Sequence, residues 1–199
     1  MKRKFVIADT HFGHKGVCNF MAPNGTDKLR PWDNTDEMDE ALIENWNKVV
    51  TPEDEVYVLG DVTMNRKALP TIGRCNGRKH LIKGNHDVCR IEEYLPYFYE
   101  ISACRVLNGM ILTHIPIHPS GLERFGVNVH GHLHAHKVET VYERYLGGDD
   151  SEWIQIPDPR YICVSVEQIG FKPVLLDLIR NQIADRKALW GDEFFPSTK

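Results

Sequence analysis

The sequence has no apolar run long enough to cross a membrane, and its basic start "MKRKFVIADTH" offers only Phe5 to Ala8 before Asp9 interrupts, so a secretory leader is not expected. It has no paired cysteine spacing. Its five cysteines (Cys18, Cys75, Cys89, Cys104, Cys163) are scattered and odd in number, which argues against a disulfide framework or a thiolate zinc knot; they read as reduced, mostly buried filler. Positive charge is not in excess. With 24 Lys and Arg against 28 Asp and Glu the net charge is -4, so bulk electrostatic binding to nucleic acid is not indicated, although a local basic patch stays open. No repeat, low-complexity tract or linker divides the chain. These absences leave a single domain over 1–199 of cytoplasmic character, long enough for a real core.

What is present is a series of short β-branched segments that end in Gly, Asp or His: "KFVIA" (4–8), "EVYVLG" (55–60), "KHLIKG" (79–84), "ISACRVL" (101–107), "MILTH" (110–114), "VNVHGH" (127–132) and "YICVSVE" (161–167). Asn108-Gly109 is a hairpin turn signal. "DEMDEALIENWNKVV" repeats apolar residues every three or four positions behind an acidic first turn, which predicts an amphipathic helix. "VLLDLIRNQIADRKALW" (174–190) predicts a second helix, and "RKALPTIGRC" a weaker one despite Pro70. Residues 19–35 predict a long surface loop of the kind that often carries function. The fold class expected from this order is a mixed α/β sandwich.

Ten histidines, clustered at 11–14, 114–118 and 130–136, are the unusual component. Asp9 and His11 flank Thr10 beyond the first strand; taken alone they read more readily as caps than as ligands. Asp61 follows the second strand in "LGDV", Asn85, His86 and Asp87 follow the third in "KGNHD", and His114 ends "MILTH". His132 and His134 in "HGHLH" repeat the two-residue spacing. Five separated segments thus deliver oxygen or nitrogen donors at strand ends, where open α/β sheets place their ligands. The sulfur-free set suits manganese, iron or zinc, and it holds more donors than one ion can use, which points to two ions sharing a carboxylate.

"DTH", "LGDV", "KGNHD", "LTH" and "GHLH" resemble the ordered motifs D-x-H, GD, GNH[DE], H and GHxH of the calcineurin-like metallophosphoesterase superfamily. "DTHFGHKGV", "LIENWNKVVTPEDEVYVLGDV" and "VSVEQIGFKPVLLDLI" extend the likeness to its small bacterial and phage-type members. The resemblance implies a four-layer α/β-β/α sandwich of two mixed sheets flanked by helices, without a cap domain. It implies that Asp9, His11 and His134 bind one divalent ion, that Asn85, His114 and His132 bind another, and that Asp61 bridges them. Manganese is the first expectation, with iron, zinc or nickel as alternatives. His86 is implied as a catalytic imidazole, with Asp87 holding its other ring nitrogen.

The activity implied is hydrolysis of phosphoric esters, with a small nucleotide-like or cyclic diester as the expected substrate. A nuclease on single strands or ends, a phosphomonoesterase and a non-catalytic scaffold follow in that order. The protein-phosphatase motif GDxVDRG is absent, because Met64 and Asn65 stand where its Asp and Arg would be. His14 and His118 are candidates to line the substrate and read equally as solvated loop residues; Arg30 and Arg66 are candidates to contact phosphate by charge alone, a surface arginine being usually just solvated. His130 and His136 are read as non-ligands and His80 as structural. Trp32 is read as a core anchor, with base stacking as its alternative. Trp190 and the "EFFP" segment read either as core or as an interface. The oligomeric state is left open.

Overall fold

The structure, a computed structural model, describes residues 2–147 and 150–195. Strands β1 (Lys4–Ile7), β2 (Glu55–Val58), β3 (Arg78–Ile82) and β4 (Glu100–Ser102) lie parallel in one sheet, and β11 (Val174–Leu175) pairs antiparallel at the β1 edge. A second mixed sheet has the order β10 (Tyr161–Cys163), β7 (Val127–His130), β6 (Met110–Leu112), β5 (Arg105–Leu107), with β5 antiparallel to β6 and the others parallel. The fold is therefore mixed α/β with two mixed sheets and flanking helices. Among the described residues no helix is long and apolar enough to cross a membrane.

The two-residue period of the strands divides the core. Phe5, Ile7, Val56, Val58 and Leu81 face a cluster shared with helix α1 (Thr35–Val49), whereas Val6, Ala8, Tyr57, Leu59 and Ile82 face the second sheet through Met110, Leu112, Val127 and Val129. Each fully buried aliphatic side chain contributes about 1.5–3 kcal/mol. Helix α1 starts where Asn34 Oδ1 accepts the Glu37 N–H at 2.9 Å, and it buries Met38, Leu42, Ile43 and Trp46. Asn108 (φ 52°) and Gly109 (φ 75°) form the expected tight turn between β5 and β6.

The segment 101–107 is not one strand. It breaks at Ala103 and Cys104, leaving β4 in the first sheet and β5 in the second, so an apolar run that reads as continuous is in fact the crossover between layers. Residues Arg66–Arg74 form 3-10 turns around Pro70, which has no N–H to give an α-helix. Two short helices, α2 (Ile91–Tyr94) and α3 (Leu122–Phe125), occupy loops, and α4 (Leu176–Phe194) begins after β11 and runs past a non-helical Gly191. A long hairpin of β8 (Glu139–Gly147) and β9 (Asp150–Pro157) was not expected from the sequence. Its Tyr142 meets Trp190 and Phe194 edge-on or tilted, which gives the C-terminal aromatics up to Phe195 a packing role; Pro196 lies outside the described residues.

Candidate metal centre

Strands β1, β2, β3, β6 and β7 all end at one rim, and the residues just beyond them converge there. Asp9, His11 and His134 offer ligand atoms within 4.8 Å of one another, as do Asp61, His114 and His132. Asp61 Oδ2 links the sets, lying 3.7 Å from His11 Nε2 and 3.3 Å from His114 Nε2. Asn85 joins the second set, its Oδ1 standing 2.8 Å from His114 Nε2.

The backbone is bent to achieve this. Asp9, His11, Asp61, His132 and His134 all adopt left-handed conformations, with φ between 49° and 69°. Each costs on the order of 1 kcal/mol or more, and such strain persists only where the surroundings enforce it. Two glycines make room: a Cβ on Gly84 would lie 2.3 Å from Asp61 Oδ1, and one on Gly131 would lie 2.5 Å from Asp9 Oδ2. Neither position tolerates a side chain while the carboxylates stay where they are.

Hydrogen bonds fix the donors from behind. Asp9 Oδ2 accepts from Ser165 Oγ at 2.7 Å and from the His132 N–H at 2.9 Å, while Asp61 Oδ1 accepts the His86 N–H at 2.9 Å. His114 Nδ1 donates to the Leu59 carbonyl at 2.8 Å, and His134 Nδ1 donates to Glu167 Oε1 at 3.0 Å. Both imidazoles therefore turn Nε2 toward the site, the arrangement by which outer partners orient metal-ligating histidines.

The forward-facing atoms fit a cation. Asp9 Oδ1 and both ring nitrogens of His11 are buried without a hydrogen-bond partner among the described residues. With Nδ1–H committed to Leu59, the neutral His114 aims a lone pair at Asn85 Oδ1 and Asp61 Oδ2, so three acceptors face one another and need a proton or a cation between them. Burial pushes the Asp9 carboxyl up to about 6, against the pull of His134, His114 and Ser165. Burial, reinforced by Arg30, lowers His11 to about 3 and keeps its imidazole neutral. Against the raising effect of burial, His114 holds Asp61 below the ordinary carboxylate range; against the lowering effect of burial, Asp61 raises His114. All seven predicted donors are thus gathered, with oxygen and imidazole chemistry suited to divalent ions.

Other expectations are redistributed. The His86 ring lies beside the donors, its centroid 6.0 Å from that of His11. Asp87 does not hold it: its carboxylate is buried and accepts the N–H groups of Asp61 (2.9 Å), Val62 (2.9 Å) and Gly84 (2.8 Å), clamping two donor loops together. Arg30 is no phosphate contact, being fully buried and bonded to the Asp9 carbonyl (2.6 Å), the Thr10 carbonyl (2.9 Å) and Glu167 (2.8 Å). Arg66 points away to pair with Glu93. Trp32 packs edge-on against Phe171 in the core. His118 caps Ser120, His80 stacks on Tyr57 and bonds Glu100, and His130 is buried against the Gly131 carbonyl. His14 remains beside the site, 5.5 Å from the His11 ring. Ser165 and Glu167 were missed as site residues, although they follow β10 as Asp9 follows β1.

Two clefts flank the donors. One of about 590 Å³ includes His132 and His134; the other, about 350 Å³, includes Lys83, Asn85 and His114. A cavity of about 550 Å³ between α4 and the hairpin base holds none of the donors.

No protein-family model matches the chain. Over 197 residues it is 34% identical to the uncharacterized protein MJ1445 of Methanocaldococcus jannaschii, spanning 95% of this chain and 96% of the archaeal one. A 92-residue stretch, 44% of this chain and 41% of the relative, is 33% identical to the Gene 66 protein of Mycobacterium phage L5. Among solved structures, the protein of unknown function AQ665 from Aquifex aeolicus superposes with a TM-score of 0.60 at 24% identity, covering 91% of this chain and 99% of its own; that likeness is one of fold.

Proposed function

We propose a function for a chain that belongs to the family of the uncharacterized protein MJ1445: a binuclear metal-dependent phosphoesterase of calcineurin-like fold, acting on diesters of small, nucleotide-like alcohols. The observation that carries this reading is the pair of converging donor sets joined by Asp61, with buried acceptors that have no partner of their own. Divalent ions held there would neutralise phosphate charge and bring the pKa of a water toward neutrality.

The rest of the chemistry falls to the chain. Asp9 and Asp61 are locked by N–H and hydroxyl donors, so the anionic face of the site costs no reorganisation during reaction. His86, whose backbone is tied to Asp61 and whose ring stands beside that of His11, is the imidazole that would donate a proton to a leaving alkoxide; such assistance is typically worth ~10²–10⁴-fold. Diesters are favoured on two grounds. The clefts beside the donors offer room for the two ester groups of a diester, and the two arginines expected as phosphate contacts, which a dianionic monoester would need most, are engaged elsewhere.

The test is hydrolysis of bis(p-nitrophenyl) phosphate against p-nitrophenyl phosphate after chelation and reconstitution with Mn²⁺. Faster metal-dependent turnover of the diester is expected, with a loss of ~10²–10³-fold or more in Asp61→Asn, as for removal of a preorganised electrostatic group. Absence of turnover of both esters with two equivalents of metal bound would reject the enzyme reading in favour of a scaffold.

A further inference from the structure

The loop before Arg30 holds apolar side chains out of the core and beside the donors. Phe20 is 45% and Met21 51% exposed, yet their backbone is well tied: Leu29 N–H bonds the Phe20 carbonyl at 2.7 Å, Ala22 N–H the Asp27 carbonyl at 2.8 Å, and Met21 forms a bridge with Lys28. Buried Arg30 anchors the far end to the carbonyls of Asp9 and Thr10. Phe20 meets the His14 ring edge-on at 6.0 Å, and His14 in turn meets His11 at 5.5 Å, so an aromatic series leads from the loop to the donors.

Between this loop and the β7 exit lies the cleft of about 590 Å³, walled by Phe20, Met21, Leu29 and Leu133, with Asn19 as an amide at its side and His132 and His134 at its inner end. Among the described residues no Lys, Arg, Asp or Glu lines it. Its volume falls within the ~300–1,000 Å³ of small-molecule sites, and mostly apolar walls with few polar groups are their usual composition. Fixed, exposed apolar groups facing a cleft whose ionisable lining groups are the histidines His132, His134 and His136 suit a flat, uncharged ring.

We propose that this cleft is the subsite for the nucleobase of the substrate, with Phe20 as its stacking platform, Met21 beside it on the same loop and Leu133 on the β7 side. The placement of the phosphate rests on the phosphoesterase reading above, whereas the base subsite does not depend on catalysis.

The experiment has two arms. Metal-free protein carrying ¹³C-methyl methionine is titrated with thymidine and, as control, 2-deoxyribose. The Met21 methyl signal should move and saturate with thymidine alone, and Phe20→Ala should weaken that binding ~10-fold, the scale of base–aromatic stacking. In the second arm the Mn²⁺ enzyme is given p-nitrophenyl thymidine 5′-phosphate and ethyl p-nitrophenyl phosphate; the ratio of their kcat/KM values should favour the nucleoside ester and fall ~10-fold in Phe20→Ala. A Met21 signal indifferent to thymidine, or a ratio unchanged by the substitution, overturns the subsite. Saturable thymidine binding in a protein that hydrolyses neither ester upholds the subsite and rejects the phosphoesterase reading instead.

Discussion

The two donor sets differ in what they can do without a cation. In the Asp61, His114, Asn85 and His132 set a single proton on His114 resolves the crowding of lone pairs, and Asp61 raises that imidazole's affinity for it. In the Asp9, His11 and His134 set no hydrogen bond among the described residues reaches the forward atoms of Asp9 and His11. His11 is held neutral with both nitrogens unpartnered, and Asp9 Oδ1 is buried bare, although the same set has the heavier buttress of Ser165, Glu167 and Arg30. The difference teaches that rigidity behind a site and satisfaction within it are separate properties: the first set is built around a charge it does not itself contain.

The sharpest way to break this contrast is Glu167→Gln. Loss of the carboxylate that orients His134 should weaken the first set for Mn²⁺ by ~10–100-fold, measured by calorimetry as the separation of two binding steps; equal weakening of both steps would deny the asymmetry. Acidity gives a smaller effect of definite sign. The Asp9 carboxyl, raised to about 6, is ionised above that pH and must release a proton on metal binding below it, and His134, raised by Glu167 against the lowering effect of burial, must do the same, so affinity of the first set should fall ~10-fold or more between pH 7 and pH 5, with proton release rising over the same interval. His11, lowered to about 3, stays neutral throughout and adds nothing to that slope. The smallest effect is on stability. His11→Gly removes both a left-handed non-glycine residue and two orphaned nitrogens, so the metal-free protein should melt a few degrees higher by calorimetry, about 2–4 °C per kcal/mol recovered, while losing first-set metal.

Much of the site was legible because its donors obey a local rule: a β-branched run, then a break, then a polar side chain. Asp9, Asp61, Asn85, His114, His132 and His134 all announce themselves this way. Applied to "YICVSVE", the same rule singles out Ser165 and Glu167, but their partners are Asp9 and His134, and no local pattern names a partner across so much chain. Asp87 and Arg30 mislead for the reverse reason. Their neighbours in sequence suggest substrate or imidazole, whereas burial turns each charge inward onto backbone groups that need it. The break at Ala103 and Cys104 and the hairpin of β8 and β9 escaped because a layer crossover leaves hydrophobicity unchanged, and because Val141, Tyr145 and Trp153 are largely exposed where an alternating strand would bury them.

The bond from Ser165 to Asp9 joins residues 156 positions apart, and the Arg30 to Glu167 bond spans 137. A chain emerging from the ribosome would have Asp9, Asp61 and both histidine segments in solution well before the residues that brace them. Contacts of such long sequence separation are slow to form and reward the chain late. The first donor set is consequently braced late: a nascent chain that has passed His134 but stops short of Ser165 and Glu167 carries all seven donors and lacks the groups that hold Asp9 and His134 from behind.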